Sequence, residues 1–128
     1  MKRSHWALLL TVTLLLGACS YPARTKSERV RQKRQYLQNV QSQLTQFDAR
    51  IAELKTRADH AASQVQADLQ RQLAEVQRTR DAARRKANEV EAASEDAWTS
   101  LQAGTDRALD DLQKAYDQAA ARFRAAGL

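Results

Sequence analysis

The chain has 128 residues, the size of a single domain. Aromatic residues make up only 5% of it, and it has three glycines and one proline, Pro22, which are too few for a typical compact globule. Its abundant alanine, glutamine, arginine, leucine and glutamate are typical of long helices and coiled coils. The formal net charge is +6, and a single cysteine, Cys19, excludes an intramolecular disulfide and a cysteine-based metal site.

Residues 1–18 have the order of an export signal. Lys2 and Arg3 precede an apolar stretch at residues 6–16, which is too short to span a bilayer, because a spanning helix needs about 20 residues. The small residues Gly17 and Ala18 follow, directly before Cys19. We therefore predict that residues 1–18 are a signal peptide.

The run Leu16-Gly17-Ala18-Cys19 resembles the lipobox of bacterial lipoproteins. The resemblance implies cleavage before Cys19, a diacylglycerol on its thiol and a further acyl chain, such as palmitate, on its amine. Two or three acyl chains hold a protein on a membrane, because each buried methylene contributes about 0.8 kcal/mol. Ser20 resembles the outer-membrane sorting class, which implies a lipid-anchored protein facing the periplasm. The alternative is an ordinary secretory signal with an incidental cysteine.

Residues 19–27 are predicted to form a lipidated tether. Ser27 is suited to cap the following helix, and Glu28 would lie in its first turn. A basic run beside the anchor favours contact with anionic head groups, worth about 1 kcal/mol per base, and a solvated tether is the alternative. The predicted membrane-surface residues are Arg24, Lys26, Arg29, Arg31, Lys33 and Arg34.

Residues 28–126 are predicted to be helical, because no glycine or proline occurs between Pro22 and Gly104 and apolar residues recur every three or four positions. Two stutters bring the average repeat close to 3.6, so any supercoil should be weak. The predicted coiled-coil seam consists of Leu37, Val40, Leu44, Phe47, Ile51, Leu54, Val65, Leu69, Leu73, Val76, Val90, Leu101, Leu109, Leu112 and Phe123. Its middle is weak, because Arg80, Ala83 and Ala87 lie on it.

An apolar stripe on a helix has to be buried against another surface, because most of the helix's stability comes from that packing. Copies of the chain can pair along it, or the helix can fold back as a hairpin. The best turn signal is Gly104, with Thr105 capping the next helix, whereas a turn near Asp59 and His60 has no breaker to support it. The predicted fold class is all-α, as one very long amphipathic helix or a helical hairpin that turns near Gly104.

The segment from Asp96 to Gly104 reads D-A-W-x-x-L-x-x-G, and an R-F pair ends at Phe123. These features resemble the tail of a group of bacterial coiled-coil proteins without an assigned function. The resemblance covers roughly residues 37–123 and implies helix and coiled coil but no chemistry. The architecture also resembles the major murein lipoprotein, an acylated rod linked to peptidoglycan through a C-terminal lysine. Here the last lysine is Lys114, so we do not expect that linkage.

Residues suited to catalysis are sparse after the leader. His60 is the only histidine there, and neighbouring acids such as Glu95 and Asp96 do not share a helix face. We predict a non-enzymatic envelope lipoprotein, a membrane-anchored rod that acts through coiled-coil self-association, with no cofactor, metal, nucleic acid or small-molecule substrate. The alternatives are a helix lying on the membrane as apolipoprotein helices do, and an adaptor for another envelope protein.

Overall fold

The computed structural model describes residues 25–128 and contains three α-helices. Helix α1 spans Lys26–Asp59, α2 spans Ser63–Ala92 and α3 spans Trp98–Ala125, and no strand occurs in this part of the chain. Helix α2 packs against both other helices. Because the two connections are short, successive helices are antiparallel, and α1 and α3 run in the same direction. The prediction of an all-α fold is confirmed.

The single very long helix and the hairpin turning near Gly104 are not confirmed, because the chain turns at residues 60–62 and 93–97 instead. Gly104 and Thr105 lie within α3, and Thr105 is fully buried, its hydroxyl donating to the Leu101 carbonyl at 2.9 Å. Neither turn contains glycine or proline. Burial of the apolar stripe within one chain outweighs the few helical hydrogen bonds lost at two turns, so a breaker is not required.

Helix α1 begins two residues earlier than predicted. Thr25, and not Ser27, is its N-cap, and the Thr25 hydroxyl accepts a hydrogen bond from the Glu28 N–H at 3.3 Å. Glu28 lies in the first turn, where its charge suits the positive end of the helix dipole. Residues 25–27 of the predicted tether therefore belong to the N-cap and first turn of α1.

The predicted seam lines the interior of the bundle. Its buried members are Val40, Leu44, Phe47, Ile51, Leu54, Leu69, Leu73, Val76, Val90, Leu109, Leu112 and Phe123. Leu37, Val65 and Leu101 are half-buried. The chain thus covers its own stripe. Along α2, the main apolar cluster extends as far as Ala87. Val90 and Trp98 are also buried, but they lie outside this cluster, near the turn between α2 and α3.

In the middle of α2, where the seam has few large apolar residues, small and charged residues make the contacts with the neighbouring helices. Ala83 and Ala87 are almost fully buried, which allows close packing. Arg80 reaches across to α1 and binds Asp48, whose second oxygen accepts from Arg84 at 2.7 Å. The hydrogen bond that Arg80 donates to Asp48 raises the pKa of Arg80. Helix α2 is therefore continuous through this point, from Ser63 to Ala92.

Replacing Gly104 with alanine distinguishes a helix interior from a turn. We expect the free energy of unfolding to rise by about 0.5–1 kcal/mol, because alanine favours helix and the added Cβ meets no atom within 4 Å. Urea denaturation measures the change. Gly127 has a φ of +82°, so Gly127→Ala is the control that should not stabilise the chain. A loss of stability in Gly104→Ala would instead indicate a turn at this residue.

Candidate membrane-proximal site

Five side chains join the start of α1 to the turn between α2 and α3. We call them the junction cluster: Arg29, Lys33, Tyr36, Trp98 and Asp106. Its members come from α1 and α3: Lys33 contacts the C-terminal end of α2, Arg29 contacts the turn that follows, and Tyr36 contacts Trp98 and Asp106. The cluster lies at the end of the bundle where the chain enters from the predicted tether.

Lys33 caps the C-terminal end of α2. Its Nζ donates to the Glu91 carbonyl at 2.9 Å and to the Ala93 carbonyl at 2.6 Å. The last carbonyls of a helix lack helical partners and carry a partial negative charge, which a lysine ammonium satisfies. Helix α2 has no basic residue in its own last turn, so Lys33 of α1 supplies this charge from a distant part of the sequence.

Tyr36 and Trp98 form the apolar part of the cluster. Their ring centroids are 5.7 Å apart, and Trp98 is only 4% exposed. The Tyr36 hydroxyl donates to Asp106 Oδ1 at 2.6 Å and lies 3.2 Å from the Gln102 carbonyl. Burial, followed by the hydrogen bond to Asp106, raises the pKa of Tyr36 well above its ordinary value. Trp98 is the first residue of α3, so the start of that helix is buried against α1.

Electrostatic contacts tie the turn to α1. Arg29 Nη1 lies 2.9 Å from Asp96 Oδ1, but both side chains are substantially exposed, so this ion pair contributes at most about 1 kcal/mol. Three buried polar atoms, Arg29 Nε, Glu95 Oε2 and Trp98 Nε1, have no hydrogen-bond partner among the described residues. An unsatisfied buried polar group costs about 1–3 kcal/mol. The junction cluster is thus the least satisfied region of the described bundle.

Two surface grooves flank the cluster. One of about 570 Å³ runs between α1 and the end of α2, with Val30 and Leu37 on one wall and Glu91 and Glu95 on the other. The second, of about 340 Å³, lies between α1 and the start of α3 beside Trp98. Within residues 25–128, no group of three or more histidine, cysteine, aspartate or glutamate side chains is arranged to hold a metal ion.

The structure describes five of the six predicted membrane-surface residues, and they fall into two sets. The sixth, Arg24, and the predicted lipidation site Cys19 lie outside the described residues. Arg29 and Lys33 are engaged with the α2–α3 turn, as described above. Lys26, Arg31 and Arg34 are exposed and make no ion pair or hydrogen bond with any described residue. Fewer bases are therefore free for head groups than the sequence alone indicates.

Sequence reasoning missed the acidic partners of the basic run. From Glu89 onward the chain has eight acidic and four basic residues, whereas its helical part begins strongly basic. The antiparallel packing of α1 and α2 brings these two regions together, so Asp96 contacts Arg29 and the Glu91 and Ala93 carbonyls contact Lys33. The opposite charges of the two regions were the feature of the sequence from which this contact could have been predicted.

Comparison with protein families, curated protein sequences and solved structures finds no match to this chain. The resemblances to the lipobox, to the coiled-coil group and to the murein lipoprotein therefore stay predictions. Among residues 25–128, none of the helices combines the length and hydropathy that crossing a bilayer requires.

Replacing Lys33 with methionine tests its role as a cap. The change keeps most of the aliphatic stem but removes a charged donor, so we expect the free energy of unfolding to fall by about 1.5–3 kcal/mol. Arg34→Met is the matched control, because exposed Arg34 has no described partner, and its effect should stay within about 0.5 kcal/mol. Equal losses in both variants, measured by urea denaturation, would contradict the capping role.

Tyr36 should make the stability of the bundle depend on alkaline pH. Because its pKa is higher in the folded chain than in the unfolded chain, its contribution is complete below about pH 10 and is lost as the pH rises further. The free energy of unfolding should therefore fall less steeply above pH 10 in Tyr36→Phe than in the parent chain. An equally steep fall in Tyr36→Phe and in the parent chain, measured by urea denaturation at several pH values, would contradict this prediction.

Proposed function

We propose that the chain is a non-enzymatic lipoprotein of the bacterial envelope, whose acylated Cys19 holds a three-helix bundle at the periplasmic face of the outer membrane. The observation that carries this proposal is the order of the leader, which ends in Leu16-Gly17-Ala18-Cys19. Only five residues separate Cys19 from Thr25, the N-cap of α1. At about 3.5 Å per residue, Thr25 at the start of the bundle would stay within about 20 Å of the membrane surface.

The described residues support a role without catalysis. The pKa values of Tyr36, Arg80 and Lys114 are shifted, and each of these side chains is bound to a carboxylate of the same chain, so the shifts have structural causes. His60 lies at the C-terminal cap of α1, where its Nδ1 is 2.7 Å from the Thr56 carbonyl. Pairing within the chain accounts for these pKa shifts without a catalytic role, which is consistent with the proposal.

Self-association remains part of the proposal, but its surface has to differ from the predicted seam. The seam residues are already packed against one another within one chain. A coiled coil formed through the seam, or a helix lying with the seam in lipid, would require the bundle to open. We therefore assign the interaction role to the outer surface of the bundle, and contact with anionic head groups to Lys26 and Arg34.

The anchor is tested by replacing Cys19 with alanine in cells that express the full chain. The parent chain should fractionate with membranes and should incorporate labelled palmitate. The Cys19→Ala variant should lose the label and should not be processed at the lipobox, because the acylated thiol is absent. Ser27→Ala, an exposed residue outside the leader, is the matched control and should behave as the parent. A parent chain without lipid would overturn the proposal.

A further inference from the structure

The outward surface of α1 carries a long stretch without charge. Between Gln35 and Ala49, every exposed residue of α1 is uncharged, although 28% of the whole chain is charged. The only ionisable carboxylate in that stretch, Asp48, is half-buried and paired with Arg80 and Arg84. We define the neutral face of α1 by Gln35, Gln38, Ser42, Thr45, Gln46 and Ala49, which recur at helical spacing on the side opposite the core.

A charge-free polar face is suited to burial against another protein. Interface cores are depleted of charged residues, because charge is costly to desolvate. A glutamine amide both donates and accepts hydrogen bonds, so two copies of the same amide-rich face can satisfy each other. A two-fold axis brings identical faces together in this way.

We infer that the neutral face binds a second copy of this chain, with the two α1 helices antiparallel and the two-fold axis near Ser42. In this register Gln38 lies opposite Gln46 of the second copy. The charges that flank the face are then complementary, because Arg31 lies opposite Glu53 of the second copy on both sides of the axis. Arg31 has no described partner, and Glu53, bound only to Arg57 of its own helix, is well exposed.

The same charges disfavour a parallel pair. Parallel α1 helices in register would place Arg31 beside Arg31 and Glu53 beside Glu53 of the other copy, and like charges across a helix interface are destabilising. The antiparallel arrangement turns both contacts into attractive ones. Charge complementarity therefore selects the orientation.

The inference rests on the self-association part of the proposed function and does not depend on the lipid anchor. In the antiparallel pair, the two Thr25 residues would lie about 50 Å apart, at opposite ends of the paired helices. Both anchors can then reach one membrane only if the paired helices lie along its surface. Lipidation would thus set the direction of the pair relative to the membrane.

Charge substitution on the neutral face tests the inference. The full chain carrying Cys19→Ser, studied in detergent by sedimentation equilibrium, should form a dimer. Gln38→Glu combined with Gln46→Glu should weaken the dimer about tenfold or more, because like charges then face each other. Gln64→Glu with Gln70→Glu, at exposed positions of α2, is the matched control and should leave the dimer unchanged.

A complementary variant separates repulsion from a folding defect. Mixing the Gln38→Glu/Gln46→Glu chain with a Gln38→Lys/Gln46→Lys chain should restore association as a heterodimer. A parent chain that stays monomeric, or a Glu variant as dimeric as the parent, would overturn the inference. Neither result affects the test of the anchor, which is measured by membrane fractionation and palmitate labelling.

Cysteine crosslinking tests the orientation in the same Cys19→Ser background. An antiparallel pair should oxidise Ser42→Cys to a disulfide-linked dimer, and should link Gln35→Cys to Ala49→Cys in a mixture of the two chains. A parallel pair would instead link Gln35→Cys chains to one another. Preferential self-linking of Gln35→Cys would overturn the antiparallel arrangement.

Discussion

The whole structure depends on covering one narrow apolar stripe. A residue such as Leu112 or Val40 is almost fully buried, but the apolar positions recur only every three or four residues, so no single helix can bury them alone. Turning twice lets the chain supply its own cover at the expense of a few backbone hydrogen bonds. The outer surface, and not the seam, then determines what the protein can bind.

The helical period allowed the buried residues to be predicted, but it did not locate the turns. Spacing places Val40 or Leu112 on the inward face whether a helix is continuous or broken, so this prediction did not depend on the turns. The turn at residues 93–97 is held by the Lys33 ammonium on the Ala93 carbonyl, a contact across 60 residues. Local sequence contains no glycine or proline at either turn, and the glycine that resembled a breaker, Gly104, is accommodated inside α3.

The junction cluster illustrates a similar limit for charged residues. A basic run beside a predicted anchor suggests contact with head groups, and the sequence does not distinguish a solvated base from one that caps a helix. Lys33 and Arg29 lie on the inward side of α1 because they continue the helical spacing of the seam toward the N-terminus, one turn at a time. Arg31 and Arg34 point away from that side and stay exposed. Extending the helical spacing of the seam from Leu37 toward the N-terminus would therefore have separated the inward bases, Arg29 and Lys33, from the exposed ones.

Polar contacts choose one packing register among several that would cover the stripe. A shift of one heptad between α1 and α2 would still bring apolar residues together, because buried apolar residues recur at heptad spacing along both helices. The same shift would separate Arg80 from Asp48 and Lys33 from the end of α2, leaving partly buried charges unpaired. The observed register satisfies both contacts at once. In this register Asp48 forms ion pairs with Arg80 and Arg84 of α2. The exposed residues of α1 between Gln35 and Ala49 are therefore all uncharged.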